Sequence, residues 1–259
     1  MSRLPIVFFG HGSPMVALEK SEVTRSWAAT AARIGKPRAI LCISAHWLTR
    51  GTAVTAMPRP QTIHDFGAFP QALFDVQYPA PGDPGLAARV QNLLSPMPVT
   101  SDNRWGLDHG TWSVLVHAWP DADVPVVQLS MDVSKNPAGH WQIGRKLRDL
   151  RDEGVLIMGT GNIVHNLGAM DWDNPNAPAY PWAMKFNDTM LEAIAADRPE
   201  VVIDFDSLGE AARLSVPTPD HFWPLLYVLG ARHEGETAEL APNFIQHKSL
   251  GMTSVLIGL

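Results

Sequence analysis

Apolar and β-branched residues gather into short runs along the chain, at 5–9, 39–44, 52–56, 124–129, 155–159 and 253–257. Each run is strand length and is bounded by Gly, Pro or polar residues, so each predicts a β-strand. Between them the apolar positions take helical spacing. Val23, Trp27 and Ile34 share a side of 22–34, and Leu86 and Val90 share a side of 83–94. Further helices are predicted over 139–151, 182–195 and 219–229, the last starting from Thr218 as N-cap with Pro219 in the first helical position.

Strands alternating with helices imply βαβ units. The expected architecture is therefore a single α/β domain over 1–259, with a central, mostly parallel sheet flanked by helices. Such sheets bind ligands beyond the carboxyl ends of their strands, which is where polar chemistry should appear. The Pro-rich stretch 57–84 reads as a long ordered excursion, and excursions of that length are usually functional.

Composition narrows the partners. The chain has 259 residues, 46% hydrophobic and 18% charged, enough to bury a core. A net charge of −6 argues against nucleic acid and anionic membranes. The one cysteine, Cys42, sits in an apolar run and cannot form an internal disulfide. With no apolar stretch of signal-peptide or membrane-spanning type, a cytoplasmic protein is expected.

The ten histidines change the picture most. His11 follows the first strand, His46 the second, and His165 the strand at 155–159. A fourth, His221, lies at the expected helix start. A lone histidine at a strand end is ordinarily a hydrogen-bonded structural residue. Three at equivalent ends of separate strands point instead to metal binding at this rim, with His11, His46, His165 and His221 as the candidate residues. His109, in a Gly-flanked loop, is a candidate for acid–base or substrate contact, and His64 could reach the pocket from the long excursion. Trp47, Phe66, Trp112 and Trp223 are expected to wall the pocket. His117, His140, His233 and His247 carry no such context and read as surface or helix-face residues.

Other chemistries are poorly served. Gly12-Ser13-Pro14 is no nucleophile elbow, because Pro14 lacks the N–H such a turn uses, so Ser13 is left as a substrate contact. There is no Walker A sequence and no Gly-x-Gly-x-x-Gly after a strand. Ligands scattered along the chain, with no Cys-x-x-Cys, suit a catalytic ion with an open position rather than a structural zinc knuckle.

Gly10-His11-Gly12-Ser13-Pro14, Ser44-Ala45-His46-Trp47, Gly106-Leu107-Asp108-His109-Gly110, Gly161-Asn162-Ile163-Val164-His165-Asn166 and Thr218-Pro219-Asp220-His221 together resemble the DOPA-dioxygenase type of class III extradiol ring-cleavage dioxygenase. The resemblance runs from about Ile6 to the C-terminus. It implies a non-haem metal at the sheet edge, a small aromatic catechol and O₂ as substrates, and 4,5-cleavage of a DOPA-like ring. It further implies that His11, His46 and His221 bind the metal, with His165 a fourth ligand or the catalytic base. Fe(II) would serve the oxygenase. The wider class uses two histidines and a carboxylate; a neutral all-histidine site also suits Zn(II), a candidate occupant of the purified protein. A zinc-dependent hydrolase of a small amide or ester is the alternative, since the same ligands could generate a metal-bound hydroxide. Oligomeric state has no signature in the sequence.

Overall fold

The structure, a computed structural model, describes residues 3–259; the first two positions of the expected domain lie outside the described residues. Six strands form the central sheet: β1 (Ile6–Gly10), β2 (Ala39–Ser44), β3 (Val126–Gln128), β4 (Val155–Gly161), β5 (Ala238–Leu240) and β6 (Val255–Ile257). Their spatial order is β5-β6-β1-β4-β2-β3. The four strands β1, β4, β2 and β3 run parallel, and β6 and β5 close one edge antiparallel.

The four parallel strands are buried on both faces because they are apolar at nearly every position, not at alternate ones. Alternation still decides the face. Ile6, Phe8, Leu41, Ile43, Val155 and Ile157 pack into one core with α2 (Pro84–Leu94), α4 (Pro137–Leu147), α5 (Pro181–Ala195) and α6 (Trp223–Gly230). Val7, Phe9, Ile40, Cys42, Leu156 and Met158 pack into the other with α1 (Glu22–Ile34) and α3 (His109–Ala118). The expected mostly parallel α/β sheet is what forms. Among the described residues, no helix is long and apolar enough to cross a membrane.

Two local expectations fail. The strand expected at 52–56 forms as Thr52–Thr55 but lies outside the central sheet, paired in parallel with Val99–Asp102. Apolar alternation specifies a strand without specifying its partner. The last helix begins at Trp223, not at Pro219. Residues 219–222 make one turn instead, with the Phe222 and Trp223 N–H groups donating to Pro219 O (3.0 and 2.9 Å). Two prolines, Pro219 and Pro224, both suit a first helical turn; the helix uses the second, and His221 stays in the turn before it.

Candidate metal centre

Five imidazoles meet at the carboxyl end of the parallel strands. His11 directly follows β1, its N–H donating to Gly161 O (3.0 Å) and its carbonyl accepting from Asn162 Nδ2. His46 lies two residues beyond β2, where Ala45 N–H donates to Thr160 O (3.1 Å). His165 lies four beyond β4, and its N–H donates to Ser215 O (2.8 Å). The ends of adjacent strands are thus stitched together, so register within the sheet becomes register among the histidines.

His109 arrives by a different route. Asp108 is the N-cap of α3, accepting from Thr111 N–H. Its carboxylate also accepts from Ser44 Oγ (2.6 Å) and Gln128 Nε2 (2.7 Å), the last residues of β2 and β3. The helix start is therefore pinned to two strand ends, which sets His109, the first helical residue, beside His46. A Cβ on Gly110 would lie 2.6 Å from both His46 Cδ2 and Ser44 Oγ, so only glycine permits this approach. Asp108 is consumed by the cap; burial raises its carboxyl pKa, as does the nearby Asp65 charge.

His221 is brought in by its turn. Asn162 N–H donates to His221 O (2.8 Å), and a Cβ on Gly161 would sit 2.1 Å from that oxygen. Asp220 Oδ2 accepts from His221 Nδ1. Burial works to raise the Asp220 carboxyl, but the hydrogen bond and charge of His221 hold it well below the usual range.

His11 and His46 face each other with Nε2 atoms 3.1 Å apart. Two nitrogens bound about 2.1 Å from one ion, at angles between a right angle and the tetrahedral value, lie about 3.0–3.4 Å apart. The ring centroids of His11, His46 and His221 form a near-equilateral triangle, with sides of 5.2, 5.4 and 5.0 Å. Imidazoles sharing one ion are expected roughly 5 Å apart at their centroids. Among the described residues, the group whose ring nitrogens all lie within 4.8 Å of one another is His11, His46 and His109, not His11, His46 and His221. His109, however, packs over His46 at 3.8 Å between centroids and lies 6.2 Å from His11. His165 stacks on His221 at 3.6 Å with the two ring planes nearly parallel.

The charge state suits a cation. Burial, then repulsion from neighbouring imidazoles, pushes His11 and His46 well below the ordinary histidine range. Burial and His221 push His165 down to about 3. These rings are neutral at neutral pH and present lone pairs, which is the form that ligates metal. Buried His11 Nδ1 has no hydrogen-bond partner among the described residues. Neutral nitrogens crowded this closely repel one another unless a proton or a metal ion lies between them.

The cluster floors a cavity of about 660 Å³. Val16, Phe66, Phe69, Met170, Leu250 and Met252 contribute its apolar wall, and Ser13 and His247 also line it. The remaining expected wall residues lie behind it. Trp47 stacks on Trp105 at 5.6 Å, and Trp112 is fully buried with its Nε1–H donating to Ile63 O. Trp223 packs on His140 on the other side of the sheet. His64 does not line the cavity; its ring is tied to Val76 O (3.0 Å), which tethers the excursion. A tryptophan near a motif in sequence can point to either face, and only the fold decides which. His140 is a helix-face residue of α4, on its buried side and not at the surface, and His247 lines the cavity. Missed altogether was Asp65, whose carboxylate sits between His46 and His109. Its place next to His64 and Phe66 in the long excursion was the only available hint.

A mostly parallel α/β sheet with an imidazole cluster at its strand ends defines a class: an α/β protein whose clustered histidines could bind a metal ion beside an apolar cavity. The sequence matches the family of the catalytic LigB subunit of aromatic ring-opening dioxygenase over residues 5–258. It is 50% identical to an Escherichia coli (strain K12) protein named 4,5-DOPA dioxygenase extradiol, across 99% of this chain and 96% of the relative. A Beta vulgaris protein of the same name is 37% identical over 91% of this chain and 90% of its own length. The crystal structure of an uncharacterized Escherichia coli K12 protein superposes with a TM-score of 0.87 at 44% identity, covering 99% of this chain and 100% of that one. The chain belongs to the LigB family and is an aromatic ring-opening dioxygenase of the extradiol kind. These relatives give the hydrolase alternative no support.

Proposed function

We propose that the protein opens the ring of a DOPA-like catechol by 4,5-cleavage with O₂, using one divalent metal ion held by His11, His46 and His221. The near-equilateral imidazole triangle carries this reading. The names of the two relatives support the DOPA-like substrate. Fe(II) is the ion proposed for turnover, and Zn(II) a competitor in the purified protein, because neutral imidazoles suit both. The cytoplasm is the proposed setting, in keeping with a single, buried, unpaired Cys42.

When bound, such an ion lowers the pKa of catechol hydroxyls and holds ring and O₂ together. The residues of the chain supply the rest. Asp220 keeps the proton on His221 Nδ1, leaving Nε2 as the donor lone pair. His165, neutral and stacked on His221, can take a catechol proton, and the anion formed beside it would draw its pKa upward from about 3. His109 is the second proton carrier, across the cluster from His165. The apolar wall, Phe66 in particular, packs the substrate ring and excludes water.

The overlapping His11, His46 and His109 grouping favours a second ligand set, with His109 in place of His221. Metal stoichiometry separates the two: His221→Ala should lose the ion and His109→Ala should keep it. The activity itself is tested by anaerobic loading with Fe(II), followed by O₂ uptake and appearance of a ring-opened product from L-DOPA. No turnover of any catechol with Fe(II) or Mn(II) ends the dioxygenase assignment of substrate and metal.

A further inference from the structure

Asp65 comes from the excursion at 57–84, three residues past the short strand Gln61–Thr62 and outside the central sheet, and its carboxylate lies between two of the five imidazoles. Oδ1 accepts the His109 backbone N–H (2.8 Å) and lies 3.0 Å from His109 Nδ1, too oblique to that ring nitrogen for a full hydrogen bond. Oδ2 lies 3.8 Å from His46 Nδ1, beyond hydrogen-bond length but within ion-pair reach. His46 turns its other nitrogen, Nε2, toward His11. The carboxylate is therefore behind the two rings, on the side away from the cluster.

We propose that Asp65 is a positioning residue: its carboxylate holds the proton of His46 on Nδ1 and fixes the ring of His109, so that His46 Nε2 is presented as a lone pair to the metal. The inference rests on the metal-centre reading above and adds a residue to it. A carboxylate behind a ligating histidine selects the tautomer, orients the ring and raises its basicity. Asp220 also faces the Nδ1 of its histidine, His221, and there the carboxylate accepts a direct hydrogen bond. The cluster would then be backed by one carboxylate on each side, and the paired negative charges would offset part of the ion's charge in a buried site.

The bland reading is that Asp65 merely tethers the excursion to the start of α3 through the His109 N–H. Asp65→Asn separates the two, because its amide oxygen can still accept that N–H while the charge is gone. The probe is Co(II), titrated into metal-free protein and followed by its visible absorption, with wild type and Asp65→Ala alongside. The proposal expects Asp65→Asn to weaken Co(II) binding by ~10–100-fold and to alter the Co(II) spectrum, while the metal-free melting temperature stays at the wild-type value. Asp65→Glu, which restores the charge, should recover part of the affinity. A wild-type Co(II) affinity and spectrum in Asp65→Asn overturns it. So does an affinity loss accompanied by the same drop in metal-free melting temperature that Asp65→Ala shows. Failure of wild type to bind Co(II) would instead overturn the metal centre itself, a separate result.

Discussion

Replacing Gly161 by alanine tests whether the close approach of β4 to the His221 turn positions the site. The added Cβ would lie 2.1 Å from His221 O and 3.1 Å from its carbonyl carbon. Ordinary contact needs more than 3 Å, so the turn must retreat by roughly 1 Å. Both contacts are backbone, so no side-chain rotation relieves them. Overpacking of this kind costs ~1–3 kcal/mol. Loss of the Asn162 N–H bond to His221 O (2.8 Å) adds ~0.5–1.5 kcal/mol. The total of about 2–4 kcal/mol should lower the melting temperature of a chain this size by about 5–15 °C. A shift of ~1 Å in His221 exceeds the ~0.5 Å tolerance of a preorganised site, so metal affinity should fall at least tenfold. Gly168→Ala is the control, because its Cβ would meet nothing closer than 3.5 Å. Thermal melts of the metal-free proteins and Zn(II) titrations supply the readouts. If Gly161→Ala melts and binds like Gly168→Ala, the packing argument for the placement of His221 is refuted.

Burial holds His140 at about 4 against an ordinary 6.5, so the unfolded chain takes up its proton first. Its contribution is complete above pH 6.5 and lost as pH falls toward 4, about 3 kcal/mol in all, and the difference in urea stability between wild type and His140→Gln should shrink by that amount over this window. Parallel pH profiles for the two proteins would count against it. Adding Zn(II) at a hundred times its Kd should raise the melting temperature of metal-free protein by roughly 5–10 °C, through ~2.7 kcal/mol of linkage, and an unchanged melt with both Zn(II) and Fe(II) would refute a metal site. Arg151 is fully buried, paired with Glu236 (2.6 Å) and donating to Leu4 O and Ala231 O. Arg151→Met should cost ~3–5 kcal/mol in denaturant titrations by stranding Glu236, yet leave metal affinity unchanged because the pair lies at the opposite end of the sheet.

Much of the molecule is readable from local pattern. Continuous apolar runs marked the central parallel strands, and helical spacing marked α1 and α2 to within a residue. Those signals are carried by neighbours in sequence, and burial enforces them locally. The strand-end rule then placed His11, His46 and His165 at one rim, since parallel strands point their carboxyl ends the same way. Pairing was less readable: Thr52–Thr55 has the composition of a sheet strand, but partner choice depends on where the preceding turn sends the chain.

By itself the sequence determined the fold class, the rim and the kind of donor waiting there, because periodicity and strand polarity are properties of the chain taken a few residues at a time. Only the tertiary structure decided which side chains face the cavity and which face away. It turned Trp47, Trp112 and Trp223 from the cavity and brought His247 into its lining. It also set Asp65, 19 positions beyond His46 and 44 before His109, between both rings. Those outcomes depend on distances between segments far apart in the chain, fixed by the packing of two cores against one sheet, and no local pattern records them.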